Sequence, residues 1–394
     1  MLHDDFEALR GIPIRLRDLS KTAPFIETSD AERLCRHPLV SVLMITYNHE
    51  AYIGKAIEGV MAQQTDFEFE LVIGEDCSPD KTRDICFEYQ KKFPDKIRVL
   101  WWHENVRKLG GNLRRVESCC RGELWAHCEG DDEWTDPLKL QKQVDVMRAN
   151  PSVELCFAAS RIFYEKNGTE RVWNQDGDVP IGKMSGREFF FRYAFGKYPD
   201  RLHKGDEQFV MTATTMYRAA TYKRVLQDME IYHWALAIGD VRLWSSLATQ
   251  GDVYCLPDIV ARYNQLLTGA TNRNPVSNYR DVSLTRTYFF LQETGRPISD
   301  LPVHFQDEFR DRLTDALLLK KPRDQRRYIR GVLRRPVVRP LYTCFRAWPL
   351  TAVLLFGALT PFTRRMLRAF HRRTFAKHVP KPALWLLQEY GDKK

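Results

Sequence analysis

Five short apolar runs, each closed by polar or acidic residues and separated from the next by an amphipathic segment, set the strongest constraint on this chain. They are VSVLMIT (40–46), FELVIGED (69–76), IRVLWW (97–102), ELWAHC (123–128) and VELCFAA (153–159). Each has the length of a buried strand. Between the first two, Ile53, Ala56, Ile57, Val60 and Met61 recur at the spacing of one helix face within Glu50 to Gln64. Asp80 can cap a helix reaching about Lys92, and Gly110-Gly111 precede another short one. Asp136-Pro137 has the chemistry of an N-cap and first helical residue, followed by Leu140, Val144 and Met147 on one face. Strands alternating with helices at this spacing predict an α/β fold, a mostly parallel central sheet flanked by helices. Ligands of such sheets bind beyond the carboxyl ends of the strands. The candidate residues are therefore Thr46-Tyr47-Asn48, Glu75-Asp76 and Glu129-Gly130-Asp131-Asp132.

The second half is less regular. Ser185-Gly-Arg-Glu188 is a capping-box sequence opening an aromatic helix, Phe189 to Tyr193. FVMTATTMYR (209–218) has strand composition, Gly239-Asp240 precedes a helical run from Val241 to Thr249, and VYCLPDIVARY (253–263) is extended. From about residue 278 the pattern turns helical and then basic. Lys320 to Lys377 carries sixteen Lys and Arg against one acid, a balance of +15 where the whole chain has +9. The remainder therefore sums to −6, and the basic character belongs to the tail.

At 44% hydrophobic and 28% charged, the composition excludes a disordered chain. Nine scattered cysteines without a CxxC pair argue against a disulfide framework or a zinc site and for a reducing compartment. The start, MLHDDFEALRG, lacks the pattern of a secretory signal. The most apolar tail segment, Trp348 to Phe362, has fifteen residues and two prolines, short of the ~18–20 that a spanning helix needs. A cytoplasmic location is expected.

VSVLMITYN (40–48), GEDCSPDKT (74–82) and EGDDEWTDP (129–137) together resemble the ordered blocks of the family 2 glycosyltransferases of GT-A fold, over about residues 38–265. The resemblance implies transfer of a sugar from a nucleotide-diphosphate sugar to an acceptor hydroxyl with inversion, in the manner of bacterial surface-glycan enzymes. It implies an N-terminal extension (1–37), a GT-A catalytic domain (38–275) with a nucleotide-binding half (38–160) and an acceptor half (161–275), and a helical, basic C-terminal region (276–394). By position, Asp76 would accept from a ring N–H of the base, and Thr46, Tyr47 and Asn48 would line the base and ribose. Arg107 or its neighbour Lys108 would meet phosphate, unless both are ordinary solvated cations. Asp131-Asp132 falls on the family's D-x-D-like motif. Asp132 would ligate a divalent cation (Mg²⁺ or Mn²⁺) and Asp131 would face the ribose or donor sugar. An Asp-Asp pair alone is commonly a solvated turn, and Glu129 and Glu133 fit helix-proximal surface acids.

Asp240 matches the family's general base, which takes the acceptor's proton; a helix N-cap is its other reading, and Asp206 and Glu207 compete for the role. Thr212 to Thr215 fits the sugar-pocket wall. Arg262-Tyr263-Asn264-Gln265 departs from the family's closing loop, because the expected His is absent. The expected acceptor is a glycan or a lipid-linked glycan. Residues 335–378, which mix arginines with apolar side chains, suit an anionic membrane surface or packing on the protein itself. No nucleic-acid partner is expected. The rival functions are a GT-A-like scaffold anchored by its tail, disfavoured by the intact aspartates, and a nucleotidyltransferase of related fold. The latter would need a glycine-rich lysine loop that TYNHEAYIG does not supply.

Overall fold

Strand β2 (Val40–Thr46) is the axis of the molecule, and its side chains alternate between two cores. Val40, Val42 and Met44 enter one apolar cluster, and Leu43 and Ile45 enter the other. Strand β3 (Phe69–Glu75) does the same, with Leu71 and Ile73 on one face and Val72 on the opposite one. Both faces are therefore covered, as continuous apolar runs require. The computed structural model describes residues 24–106, 111–174, 179–189, 210–229 and 239–267.

Helix α1 (Ile53–Met61) packs Ile53, Ile57 and Val60 inward and has no side-chain N-cap bond. A cap is worth about 1 kcal/mol, whereas burying each of those side chains contributes roughly 1.5–3 kcal/mol. Packing, not capping, decides this helix. In α2 (Thr82–Lys92) the predicted Asp80 accepts the Thr82 N–H at 3.1 Å. Helix α3 (Asn112–Cys119) follows Gly111 at φ +90°. Helix α4 (Lys139–Ala149) follows the Asp136-Pro137 turn, where Asp136 accepts the Leu138 N–H at 2.9 Å.

Strand β4 (Ile97–Trp101) lies beside β3, and β5 (Leu124–His127) lies on the other side of β2. All the pairings in the row β4-β3-β2-β5 are parallel. Sequence order runs outward from β2 to β4 and then jumps back across β2 to β5. The topological switch, where a crevice opens at the carboxyl edge, therefore lies between β2 and β5.

Beyond β5 the sheet becomes mixed. Strand β10 (Met216–Arg218) runs antiparallel between β5 and the long β7 (Val153–Tyr164). Strand β11 (Asp252–Gln265) pairs parallel with β7 through three shifts in register, and antiparallel with the short β6 (Glu133–Trp134). Strands β8 (Thr169–Trp173) and β9 (Gly182–Ser185) pair with β7 and β11. A short helix, α5 (Gly186–Phe189), follows β9, and the longer α6 (Ala219–Met229) and α7 (Gly239–Ala248) cover this half.

Two sequence expectations change. The extended segment 209–218 is strand only from Met216; before it lies a 3-10 turn, Thr212–Thr214. The Thr214 and Thr215 hydroxyls each donate to the carbonyl three residues back, at 2.7 Å, and hold the backbone in a turn that competes with the ladder. The extension before residue 38 also contributes to the sheet, because β1 (Ile26–Thr28) pairs antiparallel with the edge strand β4. Glu27 takes Arg98 Nε and Nη2 at 2.8 and 2.9 Å. Arg98 reaches on to the buried Glu70, which also pairs with Arg121. The eight cysteines of the described residues are free thiols. Among those residues no helix is long and apolar enough to cross a membrane. The basic region 276–394, with its segment 335–378, lies outside the described residues, as do Phe190 to Tyr193.

Candidate active site

The loop after β5 is laid onto the end of β2. Cys128 N–H donates to Leu43 O at 3.1 Å and Gly130 N–H to Ile45 O at 3.0 Å. This close course requires a glycine at position 130, since a Cβ there would stand 2.6 Å from Thr46 Oγ1. On the other side α1 presses against β6, where a Cβ on Gly59 would meet Trp134 O at 2.6 Å. The acidic loop is thus gripped between a strand end and a helix.

Within it the two aspartates differ. The Asp131 side chain is 23% exposed, with Oδ2 3.8 Å from His49 Nε2. Asp132 is 3% exposed, and its Oδ1 accepts the Asn264 N–H at 3.0 Å. Asn264 Nδ2 donates to Asp131 O at 2.7 Å, so one residue of β11 fixes both. Burial pushes the Asp132 carboxyl well above the usual carboxylate range, and the charges of Asp131 and Glu129 push it further. Burial also raises Asp131, with His49 pulling the other way. Burial in turn lowers His49, with Asp131 and Asp80 opposing. Such mutual repulsion is relieved by a cation. Among the described residues no three His, Cys, Asp or Glu side chains form a protein-only metal cage. A hard divalent ion bound through one or two carboxylates and completed by phosphate oxygens needs none. The donor chemistry of Asp131 and Asp132 fits such an ion.

On the far side of β2, Asp76 follows β3 and is buried at 6% exposure. Its N–H donates to Thr46 O at 3.1 Å, which ties it to the end of β2. Asp76 Oδ1 accepts the Val106 N–H at 2.7 Å, and its carbonyl accepts Asn105 Nδ2 at 2.9 Å. The preceding Glu75 points elsewhere, pairing with Arg83 Nε at 2.6 Å. Asn48 and Cys77 turn through the left-handed region at φ +60° and +58°. The two loops they belong to are stitched together by Asn48 N–H to Ser78 Oγ (3.0 Å), His49 N–H to Thr82 Oγ1 (2.8 Å) and Glu50 N–H to Asp80 Oδ2 (3.0 Å). Thr46 is buried, Tyr47 half-buried and Asn48 exposed.

Thr46, Tyr47, Asn48, Asp76, Asp131 and Asp132 therefore share the carboxyl edge around the switch point. Asp240 lies in the first turn of α7, its side chain outside the described set. That helix is docked by Trp244, edge-on to His127 and Tyr217 with ring centroids at 6.0 and 5.8 Å. His127 ends β5 immediately before the acidic loop, and its Nε2 is 2.7 Å from Tyr217 Oη. Helix α7 is thus packed on the strand that delivers the acids. Arg107, Lys108, Asp206 and Glu207 lie outside the described residues. Sequence reasoning missed Asn264 as a brace and His49 as the neighbour of Asp131. The one signal for Asn264 was a neutral polar residue near the end of a largely apolar extended run.

Residues 41–226 match the model of Glycosyl transferase family 2. An uncharacterized protein of Mycobacterium tuberculosis is 42% identical over 145 residues, which is 36% of this chain and 42% of that protein. The putative teichuronic acid biosynthesis glycosyltransferase TuaG of Bacillus subtilis is 34% identical over 110 residues, 28% of this chain and 42% of TuaG. The chain thus spans less than half the length of the curated relatives it matches. S. aureus TarS 1-349 in complex with UDP-GlcNAc superposes with a TM-score of 0.46 at 18% identity, covering 85% of this chain and 92% of that one.

Proposed function

Residues 41–226 belong to glycosyl transferase family 2, and from that membership we propose that the chain is an inverting, hexosyl-type glycosyltransferase using a nucleotide-diphosphate sugar. The observation that carries this is the pair Asp131-Asp132, held by Asn264 at the sheet's switch point and across β2 from Asp76. In this reading Asp76 accepts from the base, and Thr46, Tyr47 and Asn48 line base and ribose. Arg107 meets phosphate, and Asp131 faces the ribose or donor sugar. Asp132 would be the direct ligand of Mg²⁺ or Mn²⁺; when bound, the ion supplies positive charge to the diphosphate. Asp240 takes the acceptor hydroxyl's proton as that oxygen attacks the anomeric carbon and the bond to the diphosphate oxygen breaks on the opposite face. A base on α7 is supported by the docking of that helix against β5.

The acceptor in this reading is a glycan or lipid-linked glycan of a surface polysaccharide or glycolipid, supported by the likeness to TuaG. Residues 335–378 would rest on an anionic membrane surface, placing the enzyme at the inner face of the cytoplasmic membrane. Thermal stabilisation across a panel of nucleotide-sugars identifies the donor, since a ligand of the native state raises Tm by mass action. Transfer is then measured with that donor. No stabilisation by any nucleotide-sugar, with or without Mn²⁺, would sink the reading. Flotation with anionic vesicles tests the membrane contact, and binding that survives removal of residues 335–394 would rule the tail out.

A further inference from the structure

Three consecutive carbonyls of the turn before β10 are each taken by a side chain from one short segment. Trp134 Nε1 donates to Ala213 O at 2.8 Å, Gln143 Nε2 to Thr214 O at 2.8 Å, and Lys139 Nζ to Thr215 O at 3.5 Å. The three donors also brace one another. Lys139 Nζ donates to Gln143 Oε1 at 2.8 Å and sits 4.0 Å from the centroid of the Trp134 ring. Trp134 Nε1 is shared with His127 O at 3.2 Å, tying the lock to the end of β5.

Lys139 and Gln143 are fully buried, and among the described residues no carboxylate forms an ion pair with Lys139. Burial pushes the Lys139 ammonium down to about 7. An amine so placed is costly, and an apolar side chain of similar volume would serve packing better. Its polar contacts go to the turn and to the residue that holds the turn. The turn itself packs against β5, β7 and β11, at the seam between the parallel and mixed parts of the sheet. Trp134 lies two residues beyond Asp132, in the short strand β6 that follows the acidic loop.

We propose that Lys139 is a positioning residue that, with Trp134 and Gln143, fixes Thr212–Thr215 against the Asp131-Asp132 loop and thereby sets turnover. It touches neither donor nor acceptor. The base- and ribose-binding groups on β2 and β3 lie outside the lock, so loosening it lowers kcat far more than it raises donor KM. The turnover half rests on the proposed glycosyl transfer; the lock does not.

The full chain carrying Lys139→Met, which keeps the stem and removes the donor, is compared with the unsubstituted protein by backbone hydrogen exchange and by kinetics. Exchange at Thr214 and Thr215 is expected to quicken at least tenfold, with amides of β2 to β4 unchanged. kcat should fall at least tenfold and donor KM stay within threefold. Trp134→Phe removes the N–H together with part of the ring and carries the same test if Lys139→Met does not fold. Unchanged exchange at Thr214 and Thr215 overturns the lock. Faster exchange with unchanged kcat, or a KM effect alone, overturns the positioning role. A protein that transfers no sugar before substitution overturns the proposed reaction and the turnover half with it, while exchange still decides the lock.

Discussion

The two halves of the sheet are built differently. Among β2, β3, β4 and β5 every mutual pairing is parallel, and each strand hands its polar end to the same edge. There the loops are joined between strands that lie side by side, as Asp76 N–H to Thr46 O and Gly130 N–H to Ile45 O. From β7 onward the pieces reach the site by long returns. Asn264 braces Asp132 across 132 residues of sequence, and the turn at Thr212–Thr215 is held by side chains more than 70 residues earlier. The first half presents its acids through local geometry, and the second half fixes them in place. In the proposed reaction such a division would give donor binding to one side and alignment of the reaction to the other.

The sharpest way to break that comparison is to remove one acid from each half. Asp132→Ala and Asp240→Asn are each expected to lower sugar transfer by roughly a thousandfold or more. Only Asp132→Ala should also abolish dependence on added metal, and only Asp240→Asn should keep donor affinity by titration calorimetry. Wild-type-like transfer by Asp240→Asn would remove the second half from the chemistry.

At the junction of the halves, His127 is fully buried and its imidazole is pushed down to about 3, first by burial and then by Lys139. The unfolded chain binds a proton near 6.5 that the native state refuses, so stability is full above 6.5 and is lost as pH falls toward 3. The slope approaches about 1.4 kcal/mol per pH unit between these values. Denaturant melts of His127→Gln between pH 6.5 and 4 should be flatter than those of the parent; equal slopes would assign the acid sensitivity elsewhere.

Gly130→Ala drives a Cβ into Thr46 and should destabilise the fold by about 1–3 kcal/mol while raising donor KM. Asn264→Ala keeps the backbone N–H to Asp132 and loses only the amide on Asp131 O. About 1 kcal/mol of stability and a severalfold drop in metal affinity are expected. A loss as large as that of Asp132→Ala would mean that the second half holds the cation site together by itself.

The parallel half was legible because its signals are local. A strand's apolar run, the polar residue that ends it and the helix period that follows all lie within a few tens of residues. Asp76, Asp131 and Asp132 could be placed on one edge from strand order alone. Asn264 could not, because its role depends on β11 returning beside β6, and nothing in ARYNQ encodes that pairing. The 3-10 turn was hidden for a different reason. Threonine-rich segments favour strands by composition, and only side-chain bonds to the local backbone tip Thr212–Thr215 into a turn. Strand β1 was missed because three residues are too few for periodicity, and Glu27 is recognisable only beside Arg98.

That last contact bears on where the molecule can be cut. Beginning an expressed fragment at residue 38, where the motifs start, would strip β1 from β4 and leave a bare strand edge beside a half-satisfied Arg98. Unpaired edges recruit other edges. Such a fragment should assemble into soluble oligomers or aggregates that the longer chain avoids, and its loss of activity would report association between copies and not a defect in the site.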